Sequence, residues 1–239
     1  MVTQEYYVGV DLGQKKSQTA IAVVERRADR VEIRNPVTWA LEWEDLSPTR
    51  LLVRHLERVR LGTSYVDVVD RVTEMVWTPE LRGRTKLVVD ATGAGAPVVD
   101  LLRRDQDLKR ACELNSVTIT GGTAVRKGPK RGDWSVPKQE LITGLVLMFE
   151  EDRLEISRDL PESRRLVEEL VRYGRDEGFQ DDLVLALSLA TWRLRLDYDD
   201  PPEDGGVKVR KGPMTARERQ QADEFVGMIM GVAAKRFRE

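Results

Sequence analysis

The stretch "KLVVD", residues 86 to 90, is short and almost wholly apolar, and it runs straight into "ATGAGAPVVDLLRR", a Gly-rich turn opening a helix. A run with that little polarity reads as a strand buried on both faces. It is consistent with a parallel position under covering helices. Strand, glycine turn and helix in immediate succession point to an α/β fold.

The remaining segments extend that reading. "EYYVGVDLG" is a strand ending in a turn, "TAIAVVERR" a second strand paired with it, and "RVEIRNPVTWALEW" a third extended segment. Helices are predicted near 48–61 and 64–78, the second carrying Tyr65, Val68, Val69, Val72, Met75 and Val76 at helical spacing. "SVTIT" is a strand, and "GGTAVRKGPKRGDW" an exposed loop. "VPKQELITGLVLMFEEDR" is a helix with Ser135 as N-cap and Pro137 in its first turn. A short strand "LEIS", a helix over 162–173 and the apolar "GFQDDLVLALSLATWRLR" follow. The expectation is one α/β domain over 1–198 with a mixed central sheet flanked by helices. Residues 199–239 hold a linker, within "DYDDPPEDGG", and a C-terminal tail with an amphipathic helical pattern.

Composition removes several function classes. The single Cys112 forbids an internal disulfide and a cysteine zinc site, which implies a reducing compartment. His55, the only histidine, lies beside the stripe Leu52, Leu56 and Val59 and reads as a surface or boundary residue. "MVTQEYYVGVD" is no secretory signal, and no apolar run approaches the roughly 20 residues that span a bilayer, so the expected location is the cytoplasm, with no membrane partner. The 39 basic and 41 acidic residues nearly cancel, but nucleic-acid binding depends on where cations cluster rather than on their sum.

The acids are placed more tellingly. Asp11 closes one apolar strand, Asp90 closes another, and Asp181 and Asp182 head an apolar helix. Taken singly, each is an ordinary turn or N-cap residue. Together, at strand ends where α/β sheets gather functional groups, they form a set of carboxylates that repel unless divalent cations join them. Oxygen donors without His or Cys suit Mg2+ or Mn2+.

At these residues the sequence resembles the ribonuclease H-like nucleases, and most of all the C-terminal nuclease domain of the large terminase subunit of tailed phages. The likeness rests on "VGVDLGQKKSQTAIAVVE", "LVVDATGAGAPVVDLL" and "GFQDDLVLALSLA", with "VPKQELITGLVLMFEEDRLEIS" and "ESRRLVEELVRY" between the last two, in order over about residues 6 to 196. It implies a ribonuclease H-like fold and two-metal hydrolysis of double-stranded DNA. Asp11 would bridge two Mg2+ or Mn2+ ions, flanked by Asp90 on one side and Asp181 and Asp182 on the other. Gln180 stands where many members carry histidine, and no G-x-x-x-x-G-K-[ST] motif occurs, which leaves three readings open: an excised nuclease domain, a split terminase component working with a separate packaging ATPase or other packaging proteins, or a stand-alone nuclease relative.

DNA contacts are expected from "AVRKGPKRGDWSVPK", through Arg126, Lys127, Lys130, Arg131 and Lys138 against the single acid Asp133, with Trp134 offering an aromatic face. Lys138 in the first turn of a helix opposes the helix dipole unless an anion compensates, and phosphate would serve. Lys15 and Lys16, just after Asp11, are placed to contribute likewise. A Holliday-junction resolvase, with the same fold and four acids, is the alternative nuclease. An actin-like or sugar-kinase-like ATP-binding protein is a more distant one: it shares the look of "VGVDLGQKKSQTAIAV" but leaves Asp181 and Asp182 unexplained.

Overall fold

A computed structural model describes residues 2–13, 17–45, 50–93, 95–173 and 180–198. The predicted linker and tail over 199–239 lie outside them. The centre is a sheet whose spine is β1 (Val2–Asp11), antiparallel to β2 (Ala20–Arg34) and parallel to β5 (Thr85–Asp90). On the β2 side follow β4 (Arg50–Arg58) and then β9 (Leu154–Ile156). On the β5 side follow β6 (Cys112–Thr120), β8 (Asp133–Pro137) and β7 (Arg126–Lys127). β3 (Leu41–Asp45) pairs with the far half of β2. This is the mixed sheet the sequence predicts, parallel from β1 through β5, β6 and β8.

Each face of the sheet is covered by helices, and β1 shows why. Tyr6, Val8 and Val10 point to one side, into a cluster with Val68 and Val72 of α1 (Tyr65–Val76) and Val98 and Leu102 of α2 (Gly95–Arg104). α3 (Gln106–Ala111) adds Leu108 there. Tyr7 points to the other side, among Ala186, Leu187 and Ala190 of α6 (Asp182–Tyr198). α6 is in turn covered by α4 (Lys138–Glu150) and α5 (Ser163–Arg172), so it is buried nearly all round, which accounts for its nearly unbroken apolar sequence.

Gly9 sets how closely α6 lies on the sheet. A Cβ there would stand 1.9 Å from the Ala186 carbonyl oxygen and 2.8 Å from the Ala190 nitrogen, so helix backbone rests directly on strand backbone. Only glycine permits that approach.

Four local expectations are corrected. Residues 48–61 are not a helix but β4. Its buried residues are Leu51, Val53 and Leu56, a spacing of two and then three, because the register slips where Val53 pairs with Val24 and His55 with Val23. That bulge at Arg54 shifts the alternation by one and imitates a helical stripe. Ser135 does not cap α4: it lies in β8, the cap position is Pro137, and no side chain bonds there. The stretch 121–134 contains a small antiparallel hairpin, with Arg126 opposite Ser135 and Lys127 opposite Trp134. Finally, "RVEIRNPVTWALEW" is the end of β2, a turn, and β3. The Asn35 carboxamide oxygen accepts from the N–H groups of Val37 and Thr38 at 2.8 and 3.0 Å and closes the turn.

Candidate metal centre

Register brings the first two acids together. Val10 pairs with Val89 across the parallel β1–β5 ladder, so the next residues, Asp11 and Asp90, leave neighbouring strands at the same edge. Both face α6. Asp11 shares its side of β1 with Gly9 and Tyr7, and Asp90 shares its side of β5 with Val88, which packs on Leu189 and Trp192. Asp182 lies one helical turn before Ala186, the residue seated on Gly9, and so stands over Asp11. Asp181 precedes it, and its carbonyl accepts the Leu185 N–H at 2.9 Å. The β1–β5 register and the close seating of α6 on Gly9 together set all four acids at one edge.

Their electrostatics register the proximity. Asp11 is 7% exposed and Asp182 4%. Burial, then the charges of Asp90, Asp182 and Asp181, push the Asp11 carboxyl well above its usual range, with Lys138 partly opposing. Burial likewise raises Asp90 and Asp182. Two bonds from Thr92 oppose this for Asp90; the charge of Arg58 and the Gln18 N–H do so for Asp182. Thr92 donates to Asp90 through its N–H at 2.8 Å and its hydroxyl at 2.5 Å. Among the described residues nothing donates a hydrogen bond to Asp11. A largely buried carboxylate with no protein donor, facing three more, favours either a proton or a cation.

The chain's own cations answer part of that demand. Lys138 Nζ lies 2.7 Å from Asp181 Oδ2 and 5.5 Å from the Tyr173 ring centre. Arg58 reaches Asp182 at 3.7 Å and donates to Gln180 Oε1 at 3.3 Å, while the Gln18 N–H reaches Asp182 at 3.3 Å. No three His, Cys, Asp or Glu side chains among the described residues converge tightly enough to hold a metal ion. The donor set nevertheless fits Mg2+ or Mn2+ in kind: four carboxylates offering hard oxygen, no nitrogen or sulfur, and one of them, Asp11, without a protein donor among the described residues.

The other predicted residues are placed as follows. Lys138 compensates its unfavourable position at the head of α4 with the Asp181 carboxylate. Arg126, Lys127, Lys130 and Arg131 are exposed and pair with no acid among the described residues. Arg126, opposite Ser135, stands level with the acid-bearing edge; the turn holding Lys130 and Arg131 reaches toward the other end of the sheet, where Gly132 abuts the Leu114 carbonyl. Asp133 does not offset these cations, because it is bound to Arg103 and accepts from Ser116 at 2.7 Å. Trp134 is half-buried, edge-on to Trp192 at 5.6 Å, and anchors the hairpin rather than offering a free face. Lys15 and Lys16 lie outside the described residues. His55 sits apart, paired with Glu57 at 2.9 Å.

No protein-family model matches the sequence, and no curated protein does. Two solved structures are similar to it. The large terminase nuclease of the thermophilic phage G20c is 18% identical, covers 78% of this chain and 81% of its own, and gives a TM-score of 0.44. The g2p large terminase nuclease domain of bacteriophage SPP1, solved with bound Mn, is 14% identical, covers 79% and 86%, and gives a TM-score of 0.45. The chain resembles phage large-terminase nucleases. No helix among the described residues is long and apolar enough to cross a membrane.

Arg58 and Glu169 were not legible as site residues. Arg58 arrives on a strand read as a helix. Glu169 is fully buried at 0% exposure and accepts from the N–H groups of Leu183 and Val184 at 2.8 and 3.2 Å. Its one trace in the sequence marks burial and not the site: in "SRRLVEELVR" a glutamate sits on the same helical face as Leu166 and Leu170. Burial raises its carboxyl to about 7 against the two backbone bonds, with the Asp182 charge adding to the rise.

Proposed function

We propose that the chain is a divalent-metal-dependent DNA endonuclease of the terminase nuclease type, with Asp11, Asp90, Asp181 and Asp182 as the metal-holding acids. The observation that supports it best is Asp11 itself: buried, without a donor among the described residues, and faced by three carboxylates from two other elements. Mg2+ or Mn2+, when bound, would supply an activated water and charge stabilisation for the departing 3′ oxygen. The residues do the rest. Asp11 and Asp90 are fixed by the sheet, whereas Asp181 and Asp182 come from the helix head and turn inward once Lys138 and Arg58 release them. Lys138, freed from Asp181, is then placed to meet a phosphate at the start of α4.

The substrate is double-stranded DNA, gripped by its phosphates. Arg126 and Lys127 extend the cationic surface from Lys138 across the sheet edge, so binding is salt-sensitive and nearly blind to sequence. In this reading the partners besides DNA are proteins of the packaging machinery. Plasmid nicking in Mg2+ or Mn2+ tests the proposal: the wild type converts supercoiled DNA to open circles, and Asp11→Asn and Asp90→Asn fall to background with the fold intact. Parental rates in Asp11→Asn would refute it.

A further inference from the structure

We propose that Glu169 is a positioning residue for the acid cluster: it caps α6 from the neighbouring helix α5 and so leaves both helix-head aspartates free for the site. The catalytic consequence rests on the nuclease reading above; the capping itself does not.

A helix head presents N–H groups with no partner inside the helix. The usual remedy is the side chain of the residue just before the first turn, and aspartate is a favoured one. Asp181 holds that position, yet its carboxylate is turned to Lys138 at 2.7 Å. The N–H groups of Leu183 and Val184 are met instead by one oxygen of Glu169, at 2.8 and 3.2 Å. α5 brings it there because Leu166 and Leu170, on the same face, pack in one core cluster with Leu183 and Leu187. A cap lent by another helix relieves Asp181 of that duty. Without it, the Asp181 carboxylate would be drawn back onto its own helix, away from Asp11.

The arrangement is also held at a cost. The second Glu169 oxygen is buried with no hydrogen-bond partner, 3.7 Å from Arg165 Nε. Burying a half-satisfied acid weakens a core. An apolar residue would suit the stripe better if packing were its whole role.

Three variants of the full chain decide the matter: Glu169→Ala, Glu169→Asp, which keeps the charge but withdraws its reach, and Glu169→Gln, which keeps an acceptor oxygen. Hydrogen exchange is read at the Leu183 and Val184 amides, and the Mn2+ concentration for half-maximal plasmid nicking is read beside DNA affinity without metal. In Glu169→Ala and Glu169→Asp, exchange at the two amides rises about tenfold against mid-helix Leu189, and the Mn2+ requirement rises about fivefold with DNA affinity unchanged. Glu169→Gln restores both to within about threefold, since a neutral oxygen also caps. Unchanged amide exchange in Glu169→Asp overturns the cap. Faster exchange with an unaltered Mn2+ requirement overturns the positioning role. A wild type that never nicks refutes the nuclease reading instead, while the exchange result still decides whether Glu169 caps α6.

Discussion

Asp11 shows how one residue can oppose the stability of the fold that holds it. Its carboxyl is buried among like charges, so replacing it with the neutral Asn relieves repulsion without leaving a hole. The Asp11→Asn protein, free of metal at pH 7.5, should melt roughly 3–6 °C above the wild type while losing nicking; calorimetry checks the first and gel assay the second. Glu169 adds a pH dependence with a definite sign. Folded, it keeps its proton to about pH 7; unfolded, it releases it near the ordinary 4.5. Between those values the native state binds more protons, so stability falls as pH rises and is lowest above 7. The loss from this group is on the order of 3 kcal/mol. Asp11, Asp90 and Asp182, all raised, act in the same direction. Melting of metal-free protein from pH 4.5 to 7.5 should show the decline, and added Mn2+ should reverse it at the upper end. The four aspartates were legible in the sequence because each closes or opens an apolar element. Arg58 and Glu169 were not, because they reach the site through tertiary packing that a single chain of letters does not display.

At the scale of elements, the contact of α6 on β1 governs the site. Asp182 stands over Asp11 only because Gly9 lets helix backbone touch strand backbone. Gly9→Val would drive its side chain into the Ala186 carbonyl and should cost at least about 3 kcal/mol, read as a lower denaturation midpoint, with nicking lost in whatever folds. The strand–turn–helix unit around Asp90 was plain from its sequence because a short apolar run followed by glycines has few other readings. β4 was misread for a physical reason: the bulge at Arg54 displaces Leu56 from the alternation begun by Leu51 and Val53, and the resulting spacing suits a helix as well as a strand. Likewise β8 supplies the edge that leads into α4, so Ser135 is occupied in the ladder and Pro137 takes the cap position.

Across the whole molecule, charge is separated although its sum is near zero. Asp11, Asp90, Asp181 and Asp182 collect at one edge of the sheet. Arg126 stands level with them on an exposed hairpin that carries Lys127, Lys130 and Arg131 away toward the other end of the sheet, and the hairpin's acid, Asp133, is already bound to Arg103. Replacing Arg126 and Lys127 with Glu should weaken DNA binding about tenfold or more at low salt and flatten its salt dependence by roughly two in slope, for any sequence tested. Filter binding across a salt series reads both.

If Asp11, Asp90, Asp181 and Asp182 hold divalent cations between them, a crystal grown with Mn2+ and measured by anomalous scattering will reveal the ions. Anomalous density is expected within coordination distance of an Asp11 oxygen, with Asp90 and the helix-head aspartates as its other neighbours and Lys138 drawn away from Asp181. Saturating Mn2+ with no density at Asp11, or with Asp11 still bare and Lys138 still on Asp181, would contradict it.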